Sequence, residues 1–311
     1  MLGFIFRRVS VAIPTILVII TVAFFMMRAA PGGPFDLERP MPAEIRERIL
    51  ANYGMDQPLW KQYLDYMGSL AQGDLGPSLK FHDKDVGEII SEGMPVSLTI
   101  GLLAMGIAVF AGTILGSAAA LRQNTSGDFA VMTFAMVGIS IPPFVVGPIL
   151  ALVFGLYLGW LPTGGLDPRL GMTPERLVLP VLTLALPQIA IIARLMRASM
   201  IEVLRSNYIR TARAKGLSAP AVILKHAMRT ALLPLVSYLG PASAAVLSGS
   251  LVIERVFQLP GLGAHFVDAA LNRDYTVVMG VVIIYATLII TFNLIADLLY
   301  GVLNPRVSYD S

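Results

Sequence analysis

The sequence predicts an all-α, polytopic membrane protein with six transmembrane helices. Three observations carry this. Of 311 residues, 56% are hydrophobic and only 14% are charged, against about 25% charged in a soluble globular domain. Mean hydropathy is +0.73. Six stretches of 17 or more residues contain no Asp, Glu, Lys or Arg, and about 20 apolar residues suffice for one helical crossing of the hydrocarbon. Runs this long also argue against a β-barrel, whose strands take about 10 residues each.

The first run is Val9–Met27, preceded by Arg7 and Arg8. A signal-peptide core spans about 7–15 residues; this run is longer and reads as a retained span. Residues 1–28 therefore form a cytoplasmic N-terminus and the first transmembrane helix. Residues 29–95 form an extracytoplasmic segment, with a helical stretch at Ala43–Tyr53 and an amphipathic one at Leu59–Leu70. Turn signals surround them: Pro31-Gly32-Gly33-Pro34, Gly73 and Gly76-Pro77. The segment is near the lower size limit of a self-standing domain and is expected to pack on the membrane part. Residues 96–311 hold the other five spans, from the runs Gly93–Leu121, Phe129–Leu166, Leu177–Ala193, Thr230–Ile253 and Tyr275–Ala296. Pro142-Pro143 interrupts the third span, and its run ends in an external or interfacial stretch around Leu158–Leu166.

Loop charge orients the spans. Arg194–Arg229 carries eight basic residues and one acid, Glu202, for a net +7. Such a loop belongs in the cytoplasm, as does an N-terminus bearing Arg7 and Arg8. An even number of spans must then precede Arg194, so the long third run crosses once and both termini face the cytoplasm. Arg28–Pro95 carries seven basic residues and eleven acids, a net −4 on the opposite side.

Several chemistries are excluded. The chain has no cysteine, hence no disulfide, cysteine zinc site or thiol nucleophile. No lysine follows a glycine, so there is no Walker A phosphate loop. His82, His226 and His265 lie outside the spans, and no His-carboxylate zinc motif exists. Catalytic residues and metal ligands are expected to be none. Ser140, Ser248 and Ser250 have no charged or histidine neighbour within their spans and read as helix-contact residues. Asp297, near the inner end of the sixth span, is the one intramembrane candidate for an ion pathway, and at that depth it can also snorkel or pair locally. Without ion-coupling groups or an ATPase domain, the chain is expected to draw its energy from a partner.

The basic loop has a readable local structure. Ser206 or Asn207 can cap a short helix through Tyr208–Lys215, and Gly216 suits the left-handed position that ends it. Ser218 can cap a second helix with Pro220 in its first turn. That helix runs through Val222, Ile223, His226 and Ala227 into the fifth span, kinked near Pro234. Ala212, Ala214 and Gly216 sit among Arg210, Arg213 and Lys215. A short helix with small residues fits a groove on another protein. Alternatively, the basic residues only set topology and meet anionic lipid head groups.

The order of the residues adds a resemblance. Tyr208-Ile-Arg-Thr-Ala-Arg-Ala-Lys-Gly216, followed by His226-Ala-Met-Arg-Thr-Ala-Leu-Leu-Pro234, resembles the cytoplasmic coupling loop of ABC importer permeases of the oligopeptide, dipeptide and nickel branch. The general pattern begins Glu-Ala-Ala, with a glycine four residues after the second alanine. Gly216 matches that glycine and Ala212 the second alanine, while Arg210 stands at the glutamate and Thr211 at the first alanine. Leu233-Pro234 lies farther from the glycine than in the general pattern. Both departures suit the peptide branch. Further matches are Arg7-Arg8 with Pro14-Thr15, Arg28-Ala-Ala-Pro-Gly32, Asp56-Gln-Pro-Leu-Trp60 with Gln62-Tyr63, and Gly73-Asp-Leu-Gly76 with Ser78. Val252-Ile-Glu254, Pro260-Gly-Leu-Gly263 and Arg273-Asp-Tyr275 complete the set. The B-type permease subunits of oligopeptide importers resemble the chain best.

The resemblance implies a type I ABC importer permease in the bacterial inner membrane. It implies a second homologous permease subunit, two ATPase subunits, an extracytoplasmic peptide-binding protein and surrounding membrane lipid, with no nucleic acid. ATP and Mg would be bound by the ATPase partners, with no cofactor in this chain. Tyr208, Arg210, Ala212, Arg213, Ala214, Lys215 and Gly216 would couple to an ATPase within loop 194–230. Substrate-binding residues remain unassigned. Pro142-Pro143, Pro148, Pro187, Gln188, Ser248 and Ser250 break the apolarity of the third to fifth spans, and kinks or helix contacts explain them as well as a pathway does. Dipeptides, glutathione and nickel complexes stay open as substrates. A stand-alone ion-coupled transporter working through Asp297 stays open as a mechanism.

Overall fold

The computed structural model describes residues 2–30, 32–33, 43–81, 83–167 and 169–303. The prolines of the expected Pro31–Pro34 turn, and His82, lie outside these. Among the described residues, five helices are long and apolar enough to cross a membrane singly: α1 (Leu2–Ala29), α4 (Val86–Leu121), α7 (Pro174–Leu204), α11 (Leu233–Val256) and α13 (Tyr275–Leu303). Helices satisfy every interior backbone group within the segment, which hydrocarbon demands. The third span is a bent pair, α5 (Ser126–Ser140) and α6 (Pro143–Leu150), the latter continued by a π-helical stretch to Tyr157. The two parts meet at 102°. Pro142 and Pro143 have no N–H to donate, so the α5 ladder ends there, and Pro143 opens α6 at the position that tolerates it.

The contacts define which way each helix runs. Arg8, early in α1, pairs with Asp297, late in α13, at 2.7 Å. At the other end, the Tyr275 hydroxyl donates to the Gly32 carbonyl at 2.8 Å. These two helices are antiparallel, and the start of α1 and the end of α13 lie on one face. Gly112 and Gly116 of α4 lie against Ile192 and Met196 of α7, so α4 and α7 run parallel. The chain between them must return to the far face, and α5–α6 does so: Gly138 lies beside Ala190 and Gly147 beside Thr183, antiparallel to α7. The bent pair is therefore a crossing, and the chain makes six crossings within the described residues, as the charge argument requires.

The α4–α7 contact is the most extensive. A Cβ at Gly116 would collide with the Ala193 carbonyl, and one at Gly112 would lie 2.7 Å from Ile192. Helices in lipid associate by such close backbone approach, since lipid tails remove the hydrophobic drive. Ile100, Ala104, Ala108, Ile192, Met196 and Met200 are fully buried along this seam.

Two helices extend beyond their charge-free runs. Helix α4 begins at Val86, seven residues before Gly93, because the Asp85 N–H donates to the Glu88 carboxylate at 3.3 Å and starts the helix early. The fourth span runs to Leu204, so the first part of loop 194–230 continues α7. Arg197 can sit inside that helix because Asp128 neutralises it.

The segment after α1 packs on the membrane part, as its size suggests. It contains α2 (Ala43–Asn52) and α3 (Leu59–Ala71). Tyr63 of α3 stands edge-on to Phe24, ring centroids 5.3 Å apart, and stacks on Phe25 at 5.6 Å. The Arg28 guanidinium lies 3.7 Å above the Phe24 ring and donates to Gln62 at 2.9 Å. Burial pushes the Tyr66 phenol up to about 12, against the opposing pull of Arg28. Gly73–Ser78 forms a turn, with Gly73 at φ +79° and Gly76 at φ +83°, conformations that glycine adopts without strain. Asp274 anchors this turn: it accepts from the Ser78 hydroxyl at 2.5 Å and from the Leu79 and Lys80 N–H groups, both at 3.2 Å.

Candidate functional site: the helical corner between α7 and α11

The basic stretch folds as its residues suggest. Helix α8 (Asn207–Ala214) is followed by α9 (Ala219–Ala221), a π-helical segment Val222–Ala227 and α10 (Met228–Ala231), which leads into α11. Ser206 occupies the cap position of α8, but its hydroxyl donates back to the Val203 carbonyl at 2.6 Å. Gly216 has φ +80° and turns the chain at the end of α8, its N–H donating to the Arg213 carbonyl at 2.9 Å. A Cβ at Gly216 would meet nothing within 4 Å. The glycine is needed for its backbone angle and not for space.

Helix α8 has two faces. Ile209 and Ala212, three residues apart, are buried, and they share one apolar cluster with Met200, Val203, Val222 and Ala227. This face locks α8 onto the end of α7 and onto the π-helical segment. Tyr208, Arg210, Thr211, Arg213, Ala214, Lys215, Gly216 and Leu217 are exposed. Of the seven residues expected to couple, six face outward and Ala212 faces this chain's own interior. Ala212 can thus position the helix from below, while Tyr208, Ala214 and Leu217 offer apolar surface among three cations.

The corner is tied to the spans by charge. Asp128 on α5 is 1% exposed, and Arg197 on α7 holds it in a two-pronged pair at 2.5 and 2.6 Å. The same carboxylate accepts the Asn124 N–H at 2.9 Å. Arg205 donates to Gln123 at 3.1 Å, joining the start of the corner to the α4–α5 turn. Sequence reading missed this pair, because Asp128 served only to mark the edge of a charge-free run. An acid at the foot of one span and a cation about two turns inside the end of another was the available signal.

The polar residues of the spans divide. Gln188 is buried and accepts the Tyr238 hydroxyl at 2.9 Å, a link between α7 and α11. Ser250 is buried and returns its hydroxyl to the Leu247 carbonyl. Ser248, Pro142 and Pro148 are exposed, while Pro143 and Pro187 are half-buried. Asp297 is held by Arg8 of α1. No group of three or more His, Cys, Asp or Glu that could hold a metal occurs among the described residues.

These features define a six-crossing helical membrane protein that presents a short basic helix on the face where α1 begins and α13 ends. The chain belongs to the family of binding-protein-dependent transport system inner membrane components: the family model matches residues 112–309, and its N-terminal companion model matches residues 1–99. Among curated relatives, the oligopeptide transport system permease protein OppB of Haemophilus influenzae is 50% identical over 309 residues, covering 99% of this chain and 100% of the relative. The Escherichia coli protein of the same name is 48% identical over 309 residues, with the same coverage. The dipeptide transport system permease protein DppB of Bacillus subtilis is 42% identical over 307 residues, covering 99% and 98%. A solved crystal structure of an amino acid ABC transporter with histidines aligns at TM-score 0.48 and 18% identity, covering 71% of this chain and 95% of that one.

Proposed function

We propose that this chain is a transmembrane permease subunit of an ATP-driven importer of peptides, oligopeptides foremost. The observation that carries the reading is end-to-end identity of about half with relatives named as oligopeptide permeases. The exposed basic helix α8 at the end of α7 supports it. In this reading the face with the start of α1, the end of α13 and the corner is cytoplasmic, as the +7 charge of Arg194–Arg229 favours, and the acidic segment faces outward. The chain forms half of a pathway with a second homologous permease. Two ATPase subunits bind ATP and Mg, and an extracytoplasmic binding protein delivers the peptide. Closure of the ATPases moves α8, and α7 carries that motion into the spans, which alternate their access. This chain itself makes and breaks no covalent bond. Tyr208, Arg210, Arg213, Ala214, Lys215 and Gly216 meet the ATPase, with Ala212 supporting them from beneath.

Affinity purification of the tagged chain from its native membranes in mild detergent tests the assembly. Co-purification of a second permease and ATPase subunits is expected; recovery of the chain alone would overturn it. Gly216→Val puts a β-branched residue at positive φ, a cost of about 1–2 kcal/mol, without steric overlap. Normal membrane insertion with lost peptide import is expected. Normal import with normal ATPase binding would show that α8 does not couple. Asp297→Asn should leave import driven by ATP intact; its abolition would favour an ion-coupled transporter.

A further inference from the structure

On the face opposite the basic corner, four helices meet at a buried polar node. The fourth is α12 (Leu262–Leu271), which lies between α11 and α13. Glu254, near the end of α11, is 0% exposed. Its Oε2 accepts the Gly263 N–H at 2.7 Å and the Ala264 N–H at 3.3 Å. Ser97 of α4 is also buried, and its hydroxyl oxygen accepts the Leu262 N–H at 2.8 Å. The three leading N–H groups of α12 are thus satisfied by side chains from two separate spans. Those donors have no partner within their own helix, and the helix dipole favours a carboxylate there.

Three glycines bring the backbones into this contact. A Cβ at Gly261 would collide with the Glu254 carboxylate and crowd the Ser97 hydroxyl, and one at Gly263 would strike the Leu251 backbone. A Cβ on Gly93 would stand 3.0 Å from the Leu262 nitrogen. Glu254 Oε1 and the Tyr285 hydroxyl of α13 are buried with no hydrogen-bond partner among the described residues. Unpaired buried polar atoms cost stability, so an apolar contact would fasten α12 with less loss. What the polar contact adds is direction: hydrogen bonds hold α12 in one pose, where apolar packing tolerates sliding. From this node α4 runs to its glycine seam with α7, and α7 ends at α8.

We propose that Glu254, with Ser97, is a positioning residue for transport. It fixes α12 to α4 and α11, so that a displacement of α12 by the extracytoplasmic binding protein reaches α8 through the α4–α7 seam. The proposal rests on the functional reading above. The test is ATP hydrolysis by the complete complex in proteoliposomes, with and without saturating peptide-loaded binding protein. The wild-type complex comes first: absence of stimulation there would overturn the functional reading itself. Given stimulation, Glu254→Gln is expected to lower the stimulated rate about fivefold or more while the basal rate holds. Ser97→Ala, which removes one acceptor, is expected to lower it about twofold. Val18→Ala, an exposed change on α1 away from α12, should leave both rates unchanged. A stimulated-to-basal ratio equal to wild type in Glu254→Gln would overturn the proposal, as would a proportional fall of both rates. Should Glu254→Gln fail to assemble, Ser97→Ala decides by the same ratio.

Discussion

The two ends of the bundle each bury a carboxylate, and they neutralise it differently. On the basic face, Asp128 is held by the Arg197 guanidinium. On the acidic face, Glu254 is held by backbone N–H groups at the head of α12. A guanidinium brings a full opposite charge in a geometry matched to the carboxylate. A helix end brings the equivalent of about half a charge. The first arrangement makes a stiff joint between α5 and α7, beside the surface proposed to receive the ATPase stroke. The second makes a joint strong in direction and weak in energy, which suits an element that must be read and then released.

That contrast can be broken by removing partners at each end. The largest effect is expected from Arg197→Ala, which leaves Asp128 buried and uncompensated; a loss of about 3 kcal/mol is expected in detergent unfolding. Partial recovery in Arg197→Lys would separate charge from fork geometry. Ser97→Ala unpairs one buried N–H of α12 and should cost about 1–2 kcal/mol. If it destabilises the protein more than Arg197→Ala does, the ranking of the two joints is wrong.

A smaller effect comes from His265 on α12. Burial holds its imidazole below the ordinary value, with Lys84 acting the same way and Asp268 and Glu92 opposing. The unfolded chain takes up this proton near pH 6.5, and the folded chain resists. Stability is therefore complete above that pH and falls as the pH drops toward the lowered native value. Unfolding midpoints measured in this window should slope less in His265→Gln. The smallest effect is expected for Arg255→Ala. Its pair with Asp268 at 3.0 Å is exposed, and loss of at most about 0.5 kcal/mol should follow.

Much of this molecule is legible in local sequence. Charge-free runs located the six crossings, because hydrocarbon excludes charge wherever a helix meets it. The glycine corner was readable from Gly216, since the end of a short helix needs positive φ. The helices at Ala43 and Leu59 were readable from their periodicity. Helix ends were less so: α4 starts earlier than its apolar run, through Asp85 and Glu88, and α7 continues past its own. Ala212 looked like part of an outward surface, and only the packing beneath α8 shows that it faces inward with Ile209.

Composition and spacing thus determined the class, the number of crossings, the placement of the basic corner on the face where α1 begins, and the corner's turn. These are properties of neighbouring residues and of the solvent each residue prefers. The tertiary structure alone decided which buried polar groups meet. Asp128 and Arg197 are 69 positions apart, and Ser97 and Leu262 are 165 apart. No local pattern encodes such a pair, because its existence depends on which helix faces lie together. The glycine seam between α4 and α7 sets those faces, by allowing two backbones to approach where any side chain would hold them apart.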